Sequence, residues 1–201
     1  CGCNDISEGE CDCDGNVEDC AGECGGYTEL DICGVCDGDG STCDLNCDDS
    51  AVCLNIINVD AGAGTLDIYM INQAGCSYCD DPLYDDQNAC ENYGNDFQGG
   101  VWTFDANMDE ATCEAINGVY FDGHIGGFQF ELFGMTIAGI SGGTAEEYYS
   151  FIDYNPSTGT IIGMDFSAGT IPPGSGVLTQ VAFTDYADDQ ICFGDDTGES
   201  G

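Results

Sequence analysis

The sequence predicts a mainly β chain in two parts: an irregular, disulfide-rich stalk over residues 1–50 and an antiparallel β-sandwich over residues 51–201 that carries an insertion at 73–124. Three observations predict it. Ten of the sixteen cysteines fall in the first 50 residues, where large apolar residues are few and no hydrophobic periodicity is present. From residue 51 the chain turns to short alternating runs bounded by Gly, Asn and Asp, the pattern of half-buried antiparallel strands. Four more cysteines, Cys76, Cys79, Cys90 and Cys113, cluster inside the insertion and can pair among themselves.

Composition narrows the function before any motif does. The 201 residues hold no Lys or Arg against 39 Asp plus Glu, a formal net charge of −39. Such a chain cannot neutralise phosphates, so nucleic-acid binding is not expected, and it has no attraction to anionic lipid. A Schiff-base lysine, an arginine clamp and a phosphate-loop lysine are all excluded. No Lys or Arg can pair with a carboxylate, so buried or clustered acids must be hydrogen-bonded, protonated or bound to a metal cation. The cysteine density implies an oxidising compartment, hence a secreted or surface protein. With no initiator Met, signal peptide or run of about 18 apolar residues, the expectation is a mature or processed chain, or a segment of a longer one, without membrane insertion.

The stalk repeats: "DCAGECGG" (19–26) is followed by "DICGVCDGDGSTC" (31–43). Units this short cannot bury a core, so cross-links must replace one. Asp at alternate positions with Gly between lets a loop curl around a hard cation. The candidate ligands are Asp12, Asp14 and Asp19 in the first repeat and Asp31, Asp37, Asp39 and Asp44 in the second. Calcium is the expected ion, because the chain supplies no other strong counter-charge; solvated turn acids are the alternative. Cys33-x2-Cys36 also has zinc-ligand spacing, but an acidic, cysteine-crowded secreted context favours disulfides.

In the sandwich, strands are expected at 52–59, 65–72, 127–137, 159–168, 177–185 and 190–194, with Leu66, Ile68 and Met70 sharing one face of the second. The stretch 144–155 fits a short helix or a strand, and "TIPPGSG" (170–176) reads as a turn. The insertion, expected to grow from one edge of the sandwich, is weakly duplicated. "DDQNACENYGNDF" (85–97) and "DEATCEAINGVYF" (109–121) each read as an acid-started helix with one cysteine, a Gly stop and an aromatic strand, with Trp102 and Tyr120 as a minor core.

Two resemblances follow from these motifs. "CGVCDGDGSTC" (33–43) resembles a segment of the cysteine-rich domain of secreted metalloproteases with thrombospondin motifs. The tandem "DCAGECGG…DICGVCDGDGSTC" more closely resembles repeat arrays in large secreted proteins of aquatic bacteria, which, like thrombospondin type 3 repeats, wrap calcium in Asp-rich turns. Asp12-x-Asp14-Gly15 and Asp37-x-Asp39-Gly40 carry half of a D-x-D-x-D-G loop, without its terminal Glu. The order "TLDIYMIN", "GGFQFELFGMTI", "GTIIGMDFSAGTIPPGSGVLTQVAFTD" is similar to that of cohesins, nine-stranded jelly rolls that bind partner proteins or sit in surface scaffolds. The resemblance implies a cohesin-like jelly-roll β-sandwich, and the insertion departs from it.

Cohesin-like topology places the first and last strands side by side. With four cysteines paired inside the insertion, eleven remain from Cys1 to Cys53 and one at Cys192. The odd set and the singleton together imply a Cys53–Cys192 cross-strand disulfide.

Enzymatic activity is not expected. A glycosidase needs only two carboxylates, yet no Arg, Lys or second His exists to orient a sugar or tune a pair, and His124 sits among glycines as an exposed turn residue. Trp102, Tyr148 and Tyr149 could stack on sugar rings, although core packing is the commoner use. The expected function is a non-enzymatic extracellular structural or adhesive protein, a subunit or segment of a calcium- and disulfide-stabilised filament or adhesin. The alternative is a protein- or carbohydrate-binding module of a secreted complex. Sandwich edges normally carry Lys against edge-to-edge pairing, so the expected partner is a neighbouring subunit joined by strand addition, with a glycan or surface protein as the other candidate.

Overall fold

A computed structural model describes residues 11–12, 15–28, 36–37, 47, 50–186 and 191–194. The chain divides into two units, Cys1–Asn46 and Cys47–Gly201. Cys47 and Ser50 belong with the second because Cys47 is bonded to Cys53 and both carbonyls accept from Gln73 Nε2, at 2.7 and 3.2 Å.

In the first unit, cross-links and carboxylates do the work of a core. Cys11–Cys24 and Cys20–Cys36 interleave. Between them an antiparallel bridge joins Glu18 to Cys24, and the amide of Gly25 bonds the carbonyl of Val17 at 2.9 Å.

The second unit is a β-sandwich built from β1 (Val52–Asp60), β2 (Thr65–Asn72), β6 (Gly127–Phe133), β7 (Thr136–Ser141), β8 (Phe151–Asn155), β9 (Thr160–Met164), β10 (Gly174–Thr184) and β11 (Cys192–Phe193). One antiparallel sheet runs β1-β2-β10-β7 and the other β11-β6-β9-β8. Leu66, Ile68 and Met70 of β2 alternate inward as expected. They meet Phe130 and Leu132 of β6, Ile161 of β9 and Leu178, Val181 and Phe183 of β10 in one core.

Several boundaries differ from the sequence reading, each for a local reason. The run 127–137 is two strands in opposite sheets, split at Gly134, whose φ of +94° turns the chain from one layer to the other. The stretch 144–155 is both helix and strand: α3 (Gly143–Tyr148), then β8. The strand expected at 177–185 begins at Gly174, inside the expected turn, because residues 174–177 pair with β2. A bulge between Val177 and Thr179 then lets Leu178 and Thr179 both be buried. Gly143 passes directly over that bulge at φ +70°, where a Cβ would lie 2.3 Å from the Leu178 carbonyl oxygen.

The insertion leaves at the end of β2 and re-enters at the start of β6, both interior strands of their sheets, rather than at a sheet edge. Its sheet is β4-β3-β5, from β3 (Gly75–Cys79), β4 (Trp102–Asp105) and β5 (Val119–Phe121), with α1 (Gln87–Phe97) and α2 (Glu110–Ala115). Cys76 and Cys79, an odd number of residues apart on β3, point to opposite faces. Cys76 takes Cys113 of α2 on one face and Cys79 takes Cys90 of α1 on the other. The minor core is therefore these four cysteines with Phe104, each no more than 7% exposed, while Trp102 and Tyr120 are only half-buried.

With so small an apolar core, closure of the 37-residue Cys76–Cys113 loop, worth about 4 kcal/mol in the chain-entropy account, decides the order of the insertion. Cys113→Ser should abolish amide-exchange protection over 75–121 while β2, β6, β9 and β10 keep theirs. Gly143→Ala should destabilise the sandwich by about 2 kcal/mol or more, from the positive φ and the clash with Leu178 together, as read by denaturant unfolding.

Candidate interaction surfaces

The two lateral sides of the sandwich differ. On one side β7 and β8 are stitched across the layers by the Tyr154 hydroxyl, which donates to the Ala138 carbonyl at 2.8 Å. The sheet orders put β1 and β11 on the other side. β1 is nine residues long, carries no Lys or Pro, and has one charge, Asp60, at its end. Its protection is a bulge at Asn58, whose φ is +52°, and the Cys47–Cys53 bond near its start. β11 is two residues long, opposite Phe133 and Leu132 of β6. Ile191 and Phe193 reach the core, and Phe193 meets Phe130 edge to face with centroids 5.8 Å apart.

This geometry corrects the expected Cys53–Cys192 bond. Cys53 is joined to Cys47, six residues away, and Cys192 is exposed and free. The first and last strands do share a side of the sandwich, but they lie in opposite sheets with no ladder between them. A short local loop closes at a lower entropy cost than one of nearly 140 residues.

The acidic candidates in the first unit are engaged with their own backbone. Asp19 accepts from the amides of Ala21 and Glu23 on Oδ1 and of Thr28 on Oδ2, at 2.9–3.1 Å, and the Glu23 amide leads in holding its carboxyl below the usual range. Asp12 accepts from the amide and the side chain of Asn16 at 3.1 and 2.6 Å. Asp37 takes a left-handed φ of +56°. Asp14, Asp31, Asp39 and Asp44 lie outside the described residues. A carboxylate has about four lone-pair sites, so Asp19 retains acceptor capacity toward a cation beside its three bonds.

The same habit recurs in the second unit. Asp86 and Asp109 cap α1 and α2 through the amides of Ala89 and Thr112, both at 2.8 Å. Asp165 accepts from the Ser150 hydroxyl at 2.5 Å and the Gly169 amide at 2.7 Å. Asp80 accepts from the Val101 amide at 2.8 Å and from Asn95 Nδ2, and Asp81 from the Asn95 amide at 2.9 Å. These bonds lower the carboxyl pKa of Asp80 (Val101 first), Asp109 (the Thr112 amide first) and Asp165 (Ser150 first).

Asp80 and Asp81 also hold a feature that sequence reasoning missed. Asn95, Asp96 and Phe97 are consecutively left-handed, with φ of +51°, +59° and +67°. This turn swings Phe97 out to 77% exposure beside the half-exposed Tyr93, the rings edge to face at 5.9 Å. The sulfurs of Cys79 and Cys90 lie with Asp80 in a group of metal-ligand spacing. The two are disulfide-bonded, and a disulfide offers no thiolate to a metal.

Of the aromatic candidates, Tyr149 is buried. Its hydroxyl donates to the Ile125 carbonyl at 2.6 Å and burial pushes its phenol up to about 12. Trp102 is half-buried on β4, whereas Tyr148 is exposed at the end of α3. His124 is exposed, with Nδ1 3.4 Å from Asp122. No helix among the described residues is long and apolar enough to cross a membrane. Comparison with protein-family models, curated protein sequences and solved structures finds no match.

Alkylation of the native protein without reductant should label Cys192 and leave Cys76, Cys79, Cys90 and Cys113 unlabelled, as read by peptide mapping with an acid-specific protease. A Cys53–Cys192 peptide would contradict the arrangement.

Proposed function

We propose that the chain is a non-enzymatic extracellular structural or adhesive module, a subunit or segment of a surface filament or adhesin. The observation that carries this reading is the asymmetry of the sandwich. One side carries a cross-layer hydrogen bond between its two edge strands, and the other presents a nine-residue edge strand without Lys or Pro next to a two-residue strand with an unpaired thiol. An edge of that length and charge pattern is a template for strand addition by a neighbouring subunit. The five described disulfides suit an oxidising, extracellular setting. Two antiparallel four-stranded sheets with the chain crossing between them suit a cohesin-like jelly roll.

Calcium belongs to this reading. Thirty-nine acids without a cationic side chain repel one another, and a divalent ion held by Asp12, Asp14, Asp19, Asp31, Asp37, Asp39 or Asp44 offsets that repulsion by binding the folded state. Native material should sediment as long assemblies visible by electron microscopy, and chelation should loosen them. Asn55→Lys, which places a charge on the β1 edge, should reduce assembly at unchanged melting temperature. Monomers under all conditions, or assemblies indifferent to Asn55→Lys, would count against the reading.

A further inference from the structure

The chain leaves α2 through a left-handed turn at Asn117, whose φ is +61°. The Asn117 amide bonds the Glu114 carbonyl at 3.1 Å, and the Gly118 amide bonds the Cys113 carbonyl at 2.9 Å. These are the two bonds that close a helix on a left-handed residue, a position that favours Gly or Asn. Gly118 then lies against the disulfide: a Cβ there would stand 2.5 Å from Cys76 Sγ and 2.8 Å from Cys113 Sγ. The position over the sulfurs therefore demands Gly. Together the two positions yield an Asn-Gly pair, and it is the single such pair in the sequence.

That pair carries a chemistry of its own. Glycine leaves its amide nitrogen unhindered, and once a base has taken the proton, the nitrogen attacks Cγ of the preceding Asn. The bond from Cγ to the carboxamide nitrogen breaks, and ammonia leaves with a proton from water. Water then opens the cyclic imide at either carbonyl to give aspartate or isoaspartate. The net reaction consumes a water and releases an ammonia. Asn117 is exposed, so water and base reach it.

In the closed turn the nucleophile is withheld. The Gly118 N–H is engaged by the Cys113 carbonyl, and Cys113 is held by Cys76, both cysteines being fully buried. α2 has six residues, too few to persist without that tether. The hydrogen bond lasts as long as the disulfide does.

We propose that Asn117 is a deamidation site guarded by the Cys76–Cys113 disulfide, shut while the bond is intact and open once a dithiol has reduced it. In that reduction the dithiol is oxidised to its own disulfide and the two cysteines become thiols. Deamidation then fixes the open state. Isoaspartate carries the main chain through its β-carbon and adds an atom between residues 117 and 118, which takes Gly118 out of register with the Cys113 carbonyl. Aspartate replaces the Asn117 Nδ2 donor, 3.4 Å from the Pro82 carbonyl, with an acceptor oxygen.

The test is incubation of the full chain at mildly alkaline pH, with and without dithiothreitol, followed by mass mapping of the peptide that holds Asn117. Deamidation there should be at least about tenfold slower in the oxidised protein, in proportion to how seldom the closed turn opens. The double variant Cys76→Ser/Cys113→Ser should react at the fast rate without reductant, which separates this bond from the other disulfides. Asn117→Gly places the residue most common at such a turn; it should keep the fold and show no reaction in this peptide in either state. On reoxidation, chains that have deamidated should recover less of the Cys76–Cys113 bond than Asn117→Gly does. Equal rates in oxidised and reduced protein, a slow rate in the double variant, or full recovery of the bond by deamidated chains would overturn the proposal.

Discussion

The structure depends on how a chain with 39 carboxylates and no Lys or Arg satisfies its acids. Backbone amides take the place of the missing cations. Asp19 gathers three of them in the first unit, Asp60 closes the β1–β2 turn through Gly62 and Ala63, and Asp86 and Asp109 start the insertion's helices. Asp80 and Asp81 hold the left-handed turn that presents Phe97, and Asp165 organises the turn after β9. An amide that would otherwise end a helix or turn unpaired meets a charged acceptor, and such bonds are stronger than those between neutral groups. Acids that would merely repel one another become the fixed points of the loops.

Disulfides complete what the carboxylates begin. β3 directs one cysteine to each face, so a single short strand anchors two helices, and the insertion needs only Phe104 as apolar filling. The sandwich has a full core and leaves its asymmetry to the edges: the β7–β8 side is bound across the layers by Tyr154, and the β1–β11 side is open to the proposed subunit contact. Asn72 spends both side-chain amide hydrogens on the Gly123 and Pro172 carbonyls and so ties the end of β2 to two distant loops.

Local patterns were legible where they are self-contained. The alternation of 65–72 gives β2 and its buried face directly, and Asp86 and Asp109 announce α1 and α2 by position alone. Features that need two distant segments were not. The run 127–137 reads as one continuous strand, and only the path through Gly134 assigns its halves to opposite sheets. Counting cysteines suggested a long-range bond for Cys53 because parity carries no distance, whereas Cys47 was six residues away. The bonds from Asn72 to the Gly123 and Pro172 carbonyls span up to a hundred residues, and no motif marks them. The left-handed turn at 95–97 is hidden because ordinary residues rarely adopt it in succession.

Carboxyl titration by NMR tests most directly whether amide-bound carboxylates hold this fold. Asp19, Asp80, Asp109 and Asp165 should each titrate below 3.8. A carboxyl whose folded pKa is depressed contributes stability that is fully present above its unfolded value and lost as pH falls through its folded value. The contribution of these four should therefore disappear on the acid side of 3.8, and Asp165→Asn should remove its share of that pH dependence. Values at or above 3.8 for the four, in protein shown to be folded, would contradict the account.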